Sequence, residues 1–357
     1  LAKKNSADWR LGRDKYARKF RLALATDRTP EQVLAAAEAD IPAVHARMQE
    51  LARPLYRKLH PGKPEPAAAE LIAAVLARIA DRHATPETYM TDARRDLEEA
   101  RGFIREKGLL PLPPRDNLQV IDTPEFMRGI YAVGGFNSAP ALEPQLGAFY
   151  WLTPIPPDWP KARIESKLRE YNFFKLKLLT IHEAMPGHYV QLEYANDVQP
   201  KSRRVLRAVY GNGPYIEGWG QYSTQVMLDE GYLGGSPELR LTFLKEELRV
   251  LANAIIDIRL QTMNMTDSEA VELMMKQTFQ EKEEATAKLQ RAKLSSCQLP
   301  TYLVGWRDWL RVREQYRKIP GVPETGWLSG FHEKALKTGA VPLPALGKIL
   351  SFSRGKP

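Results

Sequence analysis

The segment His182-Glu183-Ala184-Met185-Pro186-Gly187-His188 constrains this chain more than any other feature. Its two imidazoles and its carboxylate are the groups with which a hydrolase holds Zn²⁺ and takes a proton from the zinc-bound water. The chain has only six histidines in 357 residues, so two beside one glutamate are an unusual concentration. On a regular helix, residues six apart point about 120° away from each other. His182 and His188 can therefore share one ion only if the helix is interrupted between them.

Pro186 and Gly187 offer that interruption. Proline removes a backbone donor and clashes with the preceding turn, and glycine tolerates unusual dihedral angles. We predict a break at this pair that returns His188 to the side of His182. Glu183 would then lie next to the first ligand, where a general base belongs.

A catalytic metal site needs a third protein ligand, and Glu217 is the candidate. It lies in the segment Tyr215-Ile216-Glu217-Gly218-Trp219-Gly220-Gln221-Tyr222, near the start of the next strong helical pattern. Two histidines and a glutamate leave one coordination position open for water. The alternative is a buried helix with two hydrogen-bonded histidines and no metal, but the Pro-Gly and Glu-Gly-Trp flanks favour the metal site.

Helical patterns dominate the rest of the chain. Predicted helices cover residues 29–59, 66–82 and 85–107, the run from 160 through the His-Glu motif, and residues 201–210, 214–230, 236–264, 267–296 and 299–317, with a short one at Phe331-His332-Glu333. Pro42 is expected to kink or interrupt the first of these. Residues 108–159 are rich in proline and glycine, with β-like pieces at 118–121 and 148–152, which indicates a small sheet or a long substrate-facing loop. We expect residues 1–357 to form a single mainly α-helical domain, with 108–159 as a β- and loop-rich insert.

The composition excludes several classes of protein. The 43% hydrophobic and 27% charged residues are ordinary for a globular protein, and no apolar run is long enough to span a membrane. A net charge of +9 would suit a nucleic-acid binder, but basic and acidic residues alternate, as in Arg94-Arg95-Asp96 and Lys282-Glu283-Glu284, so no nucleic-acid partner is expected. The single cysteine, Cys297, excludes an internal disulfide and is expected to be a small core residue. His45, His60 and His83 have no neighbouring ligand set and are expected to be surface or core residues.

Four segments, in order, resemble the bacterial "domain of unknown function 885" family. Residues 182–191 (H-E-A-M-P-G-H-Y-V-Q) match its H-E-A-x-P-G-H-x-x-Q signature, and residues 217–232 are similar to its E-G-W-A-x-Y…E-x-G-Y segment. Residues 298–305 and 331–344 are similar to its later Tyr-Gly and F-H…P-L-P segments. The resemblance implies a mainly helical, metallopeptidase-like fold similar to carboxypeptidase Taq, thimet oligopeptidase and angiotensin-converting enzyme. It also implies that the chain is the catalytic C-terminal part of a longer protein, and it favours export over a cytoplasmic location.

The resemblance implies roles for further residues. One Zn²⁺ per chain, with Mn²⁺ or Co²⁺ as alternatives, would be held by His182, His188 and Glu217, with Glu183 as general base. Tyr302 would stabilise the developing oxyanion, because related helical peptidases use a late tyrosine; a packed core aromatic is the alternative.

Three more side chains are candidates for binding the substrate. Arg291 could hold a substrate carboxylate, which favours carboxypeptidase or dipeptidase action, although a surface charge is the alternative. Gln191 could orient a ligand. His332 could be a pocket donor or a packing residue.

The sequence departs from the family at two positions. Thr224 replaces a frequent acid, and Gln261 ends the stretch 257–261, where many members have D-T-G-x-H; either change could alter specificity. We therefore expect a zinc-dependent hydrolase of peptide or small amide bonds. An ester or non-peptide amide hydrolase on the same site and a non-catalytic helical scaffold remain alternatives, and nothing in the sequence indicates an oligomeric state.

Overall fold

The computed structural model describes residues 8–129, 131 and 133–352 of the chain. These residues are mainly α-helical, which confirms the predicted fold class. The α-helices are α1 Gly12–Leu24, α2 Pro30–Leu59, α3 Ala68–Ala80, α4 Tyr89–Lys107, α5 Lys161–Glu170, α6 Phe173–Glu183, α7 His188–Asn196, α8 Lys201–Val209, α9 Gly213–Asp229, α10 Pro237–Thr262, α11 Asp267–Glu272, α12 Lys282–Leu294, α13 Pro300–Arg317, α14 Trp327–Leu336 and α15 Leu343–Phe352.

Local sequence signals predict where α2 begins, but not that it continues through two prolines. Thr29 caps the helix by accepting a hydrogen bond from the Gln32 N–H, and the Gln32 side chain returns a bond to the Thr29 backbone. The prediction that Pro42 interrupts this helix is wrong, because α2 continues through Pro42 and Pro54 to Leu59. Its apolar face is buried along its length and packs against α10, and this packing outweighs the lost hydrogen bonds.

Two further helical predictions need correction. The predicted helix 267–296 is divided into α11, a π-helical turn at Leu273–Gln277, and α12, with Phe279 in the left-handed region between them at φ 55°. The first and last helices, α1 and α15, were not predicted. In α1, Tyr16, Phe20 and Leu24 recur every fourth residue and are buried, so the helical period is present between charged neighbours.

The β-like pieces form a small sheet, the first of the two predicted alternatives. The strands are β1 Leu118–Asp122, β2 Gly134–Asn137 and β3 Ala148–Leu152, in the order β1-β3-β2. β3 pairs in parallel with β1 and antiparallel with β2. The sequence pattern did not predict β2, because this strand begins with two glycines. The sheet touches α6, because the Tyr150 hydroxyl lies 3.3 Å from Thr180 Oγ1.

Four helices frame the centre of the fold. α10 is buried on most of its faces and packs against α2, α6 and α13. α9 and α13 approach through glycines: a Cβ on Gly218 would lie 2.3 Å from the backbone of Gly305. None of the helices in the described ranges combines the length and apolarity needed to cross a lipid bilayer.

Candidate metal centre

The predicted helix break lies between the two histidines. α6 begins at the Asn172 cap, whose side chain accepts hydrogen bonds from the N–H groups of Phe174 and Lys175, and it ends at Glu183. α7 begins at His188, so residues 184–187 form a tight reversal. The centroids of the His182 and His188 rings are therefore only 4.7 Å apart.

Gly187 makes this reversal possible. Its N–H donates a 2.9 Å hydrogen bond to the carbonyl of Ile181, six residues earlier. A Cβ at this position would lie 1.8 Å from the carbonyl oxygen of His182 and 2.3 Å from that of Ile181. Only glycine lets the backbone pass this close.

Glu217 comes to the two histidines from α9. The Asn212 side chain caps that helix by accepting from the Tyr215 N–H. Glu217 Oε2 lies 3.6 Å from His182 Nε2 and 3.5 Å from His188 Nε2. One ligand atom from each residue fits within 4.8 Å of the others, and no second group of three such ligands occurs among the residues that the structure describes. The three predicted ligands are thus brought together.

Trp219 ties α9 to the reversal. Its buried indole N–H donates to the carbonyls of Pro186 and Gly187, at 2.8 and 3.2 Å. Gly220, the next residue, lies under His182, since a Cβ there would be 2.5 Å from the imidazole Cε1. The helix that supplies Glu217 therefore also positions both histidines.

The electrostatics favour a charged carboxylate at this centre. Burial opposes ionisation of Glu217, but its contacts with His182 and His188 outweigh burial and lower its pKa far below the usual range. For His188, burial likewise opposes the charged form, but Glu217 and Glu183 together raise the pKa. Glu217 is therefore an anion at neutral pH.

Glu183 and Tyr302 both lie next to His182. Glu183 is the half-buried last residue of α6. The Tyr302 ring of α13 stacks over His182 with centroids 6.3 Å apart. Arg291 Nη2 of α12 donates to the Tyr302 hydroxyl at 3.1 Å and to Gln298 Oε1 at 2.9 Å. The Tyr302 oxygen is thus an acceptor in this contact, and its own proton is available to a second partner.

The two remaining candidates differ in their surroundings. Gln191 is fully buried one turn after His188, and neither atom of its amide group has a hydrogen-bond partner. His332 is buried, with its Nε2 2.8 Å from the Tyr222 hydroxyl and its Nδ1 2.8 Å from the Leu109 carbonyl; burial lowers its pKa to about 4. Because both nitrogens are engaged, these contacts support the packing alternative for His332 over substrate binding.

The two departures from the family pattern are built into the scaffold. The Thr224 hydroxyl donates to the Gly220 carbonyl at 2.7 Å. Gln261 accepts from the Leu11 N–H at 2.9 Å and donates to the Ser295 carbonyl at 3.2 Å. Both side chains are buried, so each satisfies backbone groups inside the fold.

Sequence reasoning missed a second support for the site. Asp257 Oδ1, on α10, accepts from the Tyr16 hydroxyl at 2.6 Å and from the Cys297 N–H at 3.0 Å. This holds the loop that precedes Tyr302. Cys297 is buried, as expected, and burial together with Asp257 raises its pKa to about 12. The sequence signal for Asp257 was an acid within the mostly apolar stretch 250–258.

The donor set fits a divalent cation. Glu217 Oε2 lies within 3.6 Å of both imidazole Nε2 atoms and is buried without a hydrogen-bond partner, a costly state for a polar atom. Two imidazole nitrogens and a carboxylate oxygen suit Zn²⁺ and similar ions. A separate cavity of about 410 Å³ between α2, α9, α10 and α13 contains none of these ligands.

Comparison with known proteins agrees with these motifs. Residues 1–350 match the model of a family described as bacterial protein of unknown function (DUF885). The chain belongs to this family. No curated protein matches it in sequence.

Two solved structures share the DUF885 fold. A candidate lipoprotein of unknown function from Shewanella oneidensis superposes with a TM-score of 0.85 at 32% sequence identity, over 98% of this chain and 61% of that one. A candidate lipoprotein from Colwellia psychrerythraea gives a TM-score of 0.79 at 21% identity, over 97% of this chain and 57% of that one. The chain therefore spans about three fifths of the length of these structures.

Proposed function

We propose that this DUF885 chain is a metal-dependent hydrolase of peptide or small amide bonds, with His182, His188 and Glu217 as ligands of one Zn²⁺. The observation that carries the proposal is the convergence of three ligand atoms within 4.8 Å of one another. Two come from α6 and α7, which the Pro-Gly reversal brings together, and the third comes from α9. When bound, the ion would lower the pKa of a water and polarise the carbonyl to be attacked.

The protein's own groups supply the proton transfers. Glu183, beside His182, accepts a proton from the attacking water and passes it to the leaving nitrogen. Tyr302 donates a hydrogen bond to the carbonyl oxygen as negative charge develops there. Arg291, which donates to the Tyr302 hydroxyl, keeps that proton directed away from itself and towards the substrate.

Arg291 also supports an exopeptidase. It is exposed and close to Tyr302, and its guanidinium can bind a substrate carboxylate with two hydrogen bonds. This favours carboxypeptidase- or dipeptidase-like action. Ester hydrolysis remains the second candidate, because water activated in the same way also attacks esters.

An exported location is part of the proposal. The two solved structures compared above are described as candidate lipoproteins, which implies export of those proteins. The single buried cysteine gives no reason to prefer a reducing compartment.

Elemental analysis and activity assays on the parent chain and three purified variants test the metal site and the chemistry together. The parent and His60→Ala, which removes a histidine distant in sequence from the site, should each hold about one zinc. His188→Ala should lose it. Glu183→Gln should keep the zinc but lose hydrolysis of a peptide panel; an ester panel measured beside it separates the second candidate.

Two outcomes would contradict the proposal. One is a parent chain that takes up no metal after reconstitution and dialysis. The other is a Glu183→Gln variant that hydrolyses its substrates as fast as the parent.

A further inference from the structure

A cluster of buried charges lies between α6, α10 and α12, beyond the metal centre. Its members, which we call the internal charge cluster, are Lys175, Glu246, Arg249, Glu284 and Lys288. Lys175 pairs with Glu246, and Arg249 Nε lies 2.8 Å from Glu246 Oε2. Arg249 Nη1 lies 3.4 Å from Glu284 Oε1. The cluster thus joins three helices through ion pairs.

The cluster holds one more cation than anions, three against two, and Lys288 is the cation in excess. Its ammonium lies 3.9 Å from Glu284 Oε1, beyond hydrogen-bond distance. The adjacent pair of Lys245 and Glu170, 2.8 Å apart, is neutral, and Lys167, which also acts on Glu284, adds positive charge and so does not reduce the excess. A buried charge without a full counter-ion is costly. Burial and the neighbouring Arg249 accordingly lower the pKa of Lys288 to about 7.

Lys288 is connected to the metal centre along one face of α12. Lys288 and Arg291 are three residues apart, so their side chains are neighbours about 5–6 Å apart at Cβ. Arg291 donates to the Tyr302 hydroxyl, and the Tyr302 ring stacks over His182. Arg291 is exposed, whereas Lys288 is 7% exposed. Of the two cations, Arg291 therefore lies at the surface and Lys288 lies deeper, beside the candidate catalytic groups.

We propose that Arg291 and Lys288 form a paired subsite for two carboxylates of one substrate, so that the preferred substrates end in glutamate or aspartate. This inference rests on the proposed hydrolase function. The two carboxyl carbons of a terminal glutamate are about 5 Å apart, from standard bond lengths, so one such residue can reach two cations that neighbour each other on one face of a helix and act on each other electrostatically. Arg291 would bind the main-chain carboxylate, and Lys288 the side-chain carboxylate that neutralises the cluster.

The first experiment measures binding without metal, so it does not depend on hydrolysis. Calorimetry on the EDTA-treated chain compares glutarate, a dicarboxylate, with butyrate, a monocarboxylate. The parent should bind glutarate at least tenfold more tightly, about the ratio that one charge-assisted contact gives. Lys288→Met should reduce that ratio to below about twofold, because a single contact is lost. Lys282→Met, which removes an exposed lysine from the same helix, should leave it unchanged.

The second experiment uses the metal-loaded chain and peptides that end in glutamate or in glutamine, which has the same shape without the charge. In Lys288→Met, KM should rise for the glutamate peptide alone, with kcat retained, and Lys288→Arg should restore the preference. A parent chain that cleaves both peptides equally, or binds glutarate no better than butyrate, overturns the inference even if Lys288→Met fails to fold. A parent that binds glutarate selectively but cleaves no peptide would instead refute the proposed function alone.

Discussion

Substitution of Gly187 by alanine tests how the two histidines are brought together. The variant keeps every candidate ligand and changes only the reversal between α6 and α7. The added Cβ would lie 1.8 Å from the His182 carbonyl oxygen. Since ordinary contacts of this kind are 3.4 Å or longer, the reversal must open by about 1.6 Å (3.4 − 1.8), and the opposing atom belongs to the backbone.

The cost can be worked from three contributions. Overpacking of a buried site costs about 1–3 kcal/mol. Weakening the buried hydrogen bond from the Gly187 N–H to Ile181 costs about 1–3 kcal/mol more. Alanine recovers about 0.4–1 kcal/mol by restricting the unfolded chain. The free energy of unfolding should therefore fall by about 3 kcal/mol, and His188 should be displaced from His182.

Chemical denaturation of the metal-free chain measures the first effect, and zinc titration measures the second. Gly102→Ala is the matched control, because Gly102 lies inside α4 with nothing within 4 Å of the position of a Cβ. It should gain up to about 1 kcal/mol in stability through helix propensity and bind zinc as the parent does. If Gly187→Ala were as stable as Gly102→Ala and bound zinc equally well, the reversal could not depend on this close approach.

Three further substitutions test neighbouring parts of the site. Trp219→Phe removes the N–H that donates to the Pro186 and Gly187 carbonyls. It should lower the free energy of unfolding by about 1–3 kcal/mol, and it should also lower the affinity for zinc. Unchanged values of both would contradict a role for this contact. Tyr302→Phe should lower kcat about 10²- to 10³-fold while zinc content, measured on the same sample, stays at one per chain. Burial raises the pKa of Asp257 to about 6, above its value in the unfolded chain. The protonated carboxyl group therefore stabilises the fold below about pH 4, and the free energy of unfolding falls by about 3 kcal/mol as the pH rises to 6. Asp257→Asn should remove that part of the pH dependence in denaturation curves at pH 4 and 7, and a wild-type slope in the variant would refute the assignment.

Two prolines show what local sequence can and cannot predict. Both Pro42 and Pro186 were expected to disturb a helix, and only Pro186 lies where a helix is interrupted. Pro186 is followed by Gly187, whose N–H reaches the Ile181 carbonyl by a path closed to other residues. Pro42 lies in a helix of 30 residues whose apolar face is covered by α10, so tertiary packing decides the outcome. The ligand set was predictable because it depended on the local break at Pro186 and Gly187.

The charges beside the site were not predictable in the same way. The stretch Lys282-Glu283-Glu284 has the composition of a solvated helix face, and Lys282 and Glu283 are indeed exposed. Glu284, by contrast, turns inwards to Arg249 and Lys288. Arg249 lies on α10, and Lys288 lies one turn after Glu284 on α12. No sequence period indicates that α10 and α12 pack together. The excess cation at Lys288 therefore follows only from the packing of the helices.

The close contact of α9 and α13 connects the ligands to the other catalytic candidates. The backbones meet at Gly218 and Gly305, one residue after Glu217 and three residues after Tyr302. Trp219, next in α9, holds the reversal between His182 and His188. One helix pair thus fixes the third ligand, the path of the chain between the first two, and the phenol that stacks over His182. Buried backbone contacts and hydrogen bonds hold these positions, so the fold places the three candidate ligands and Tyr302 through one and the same helix contact.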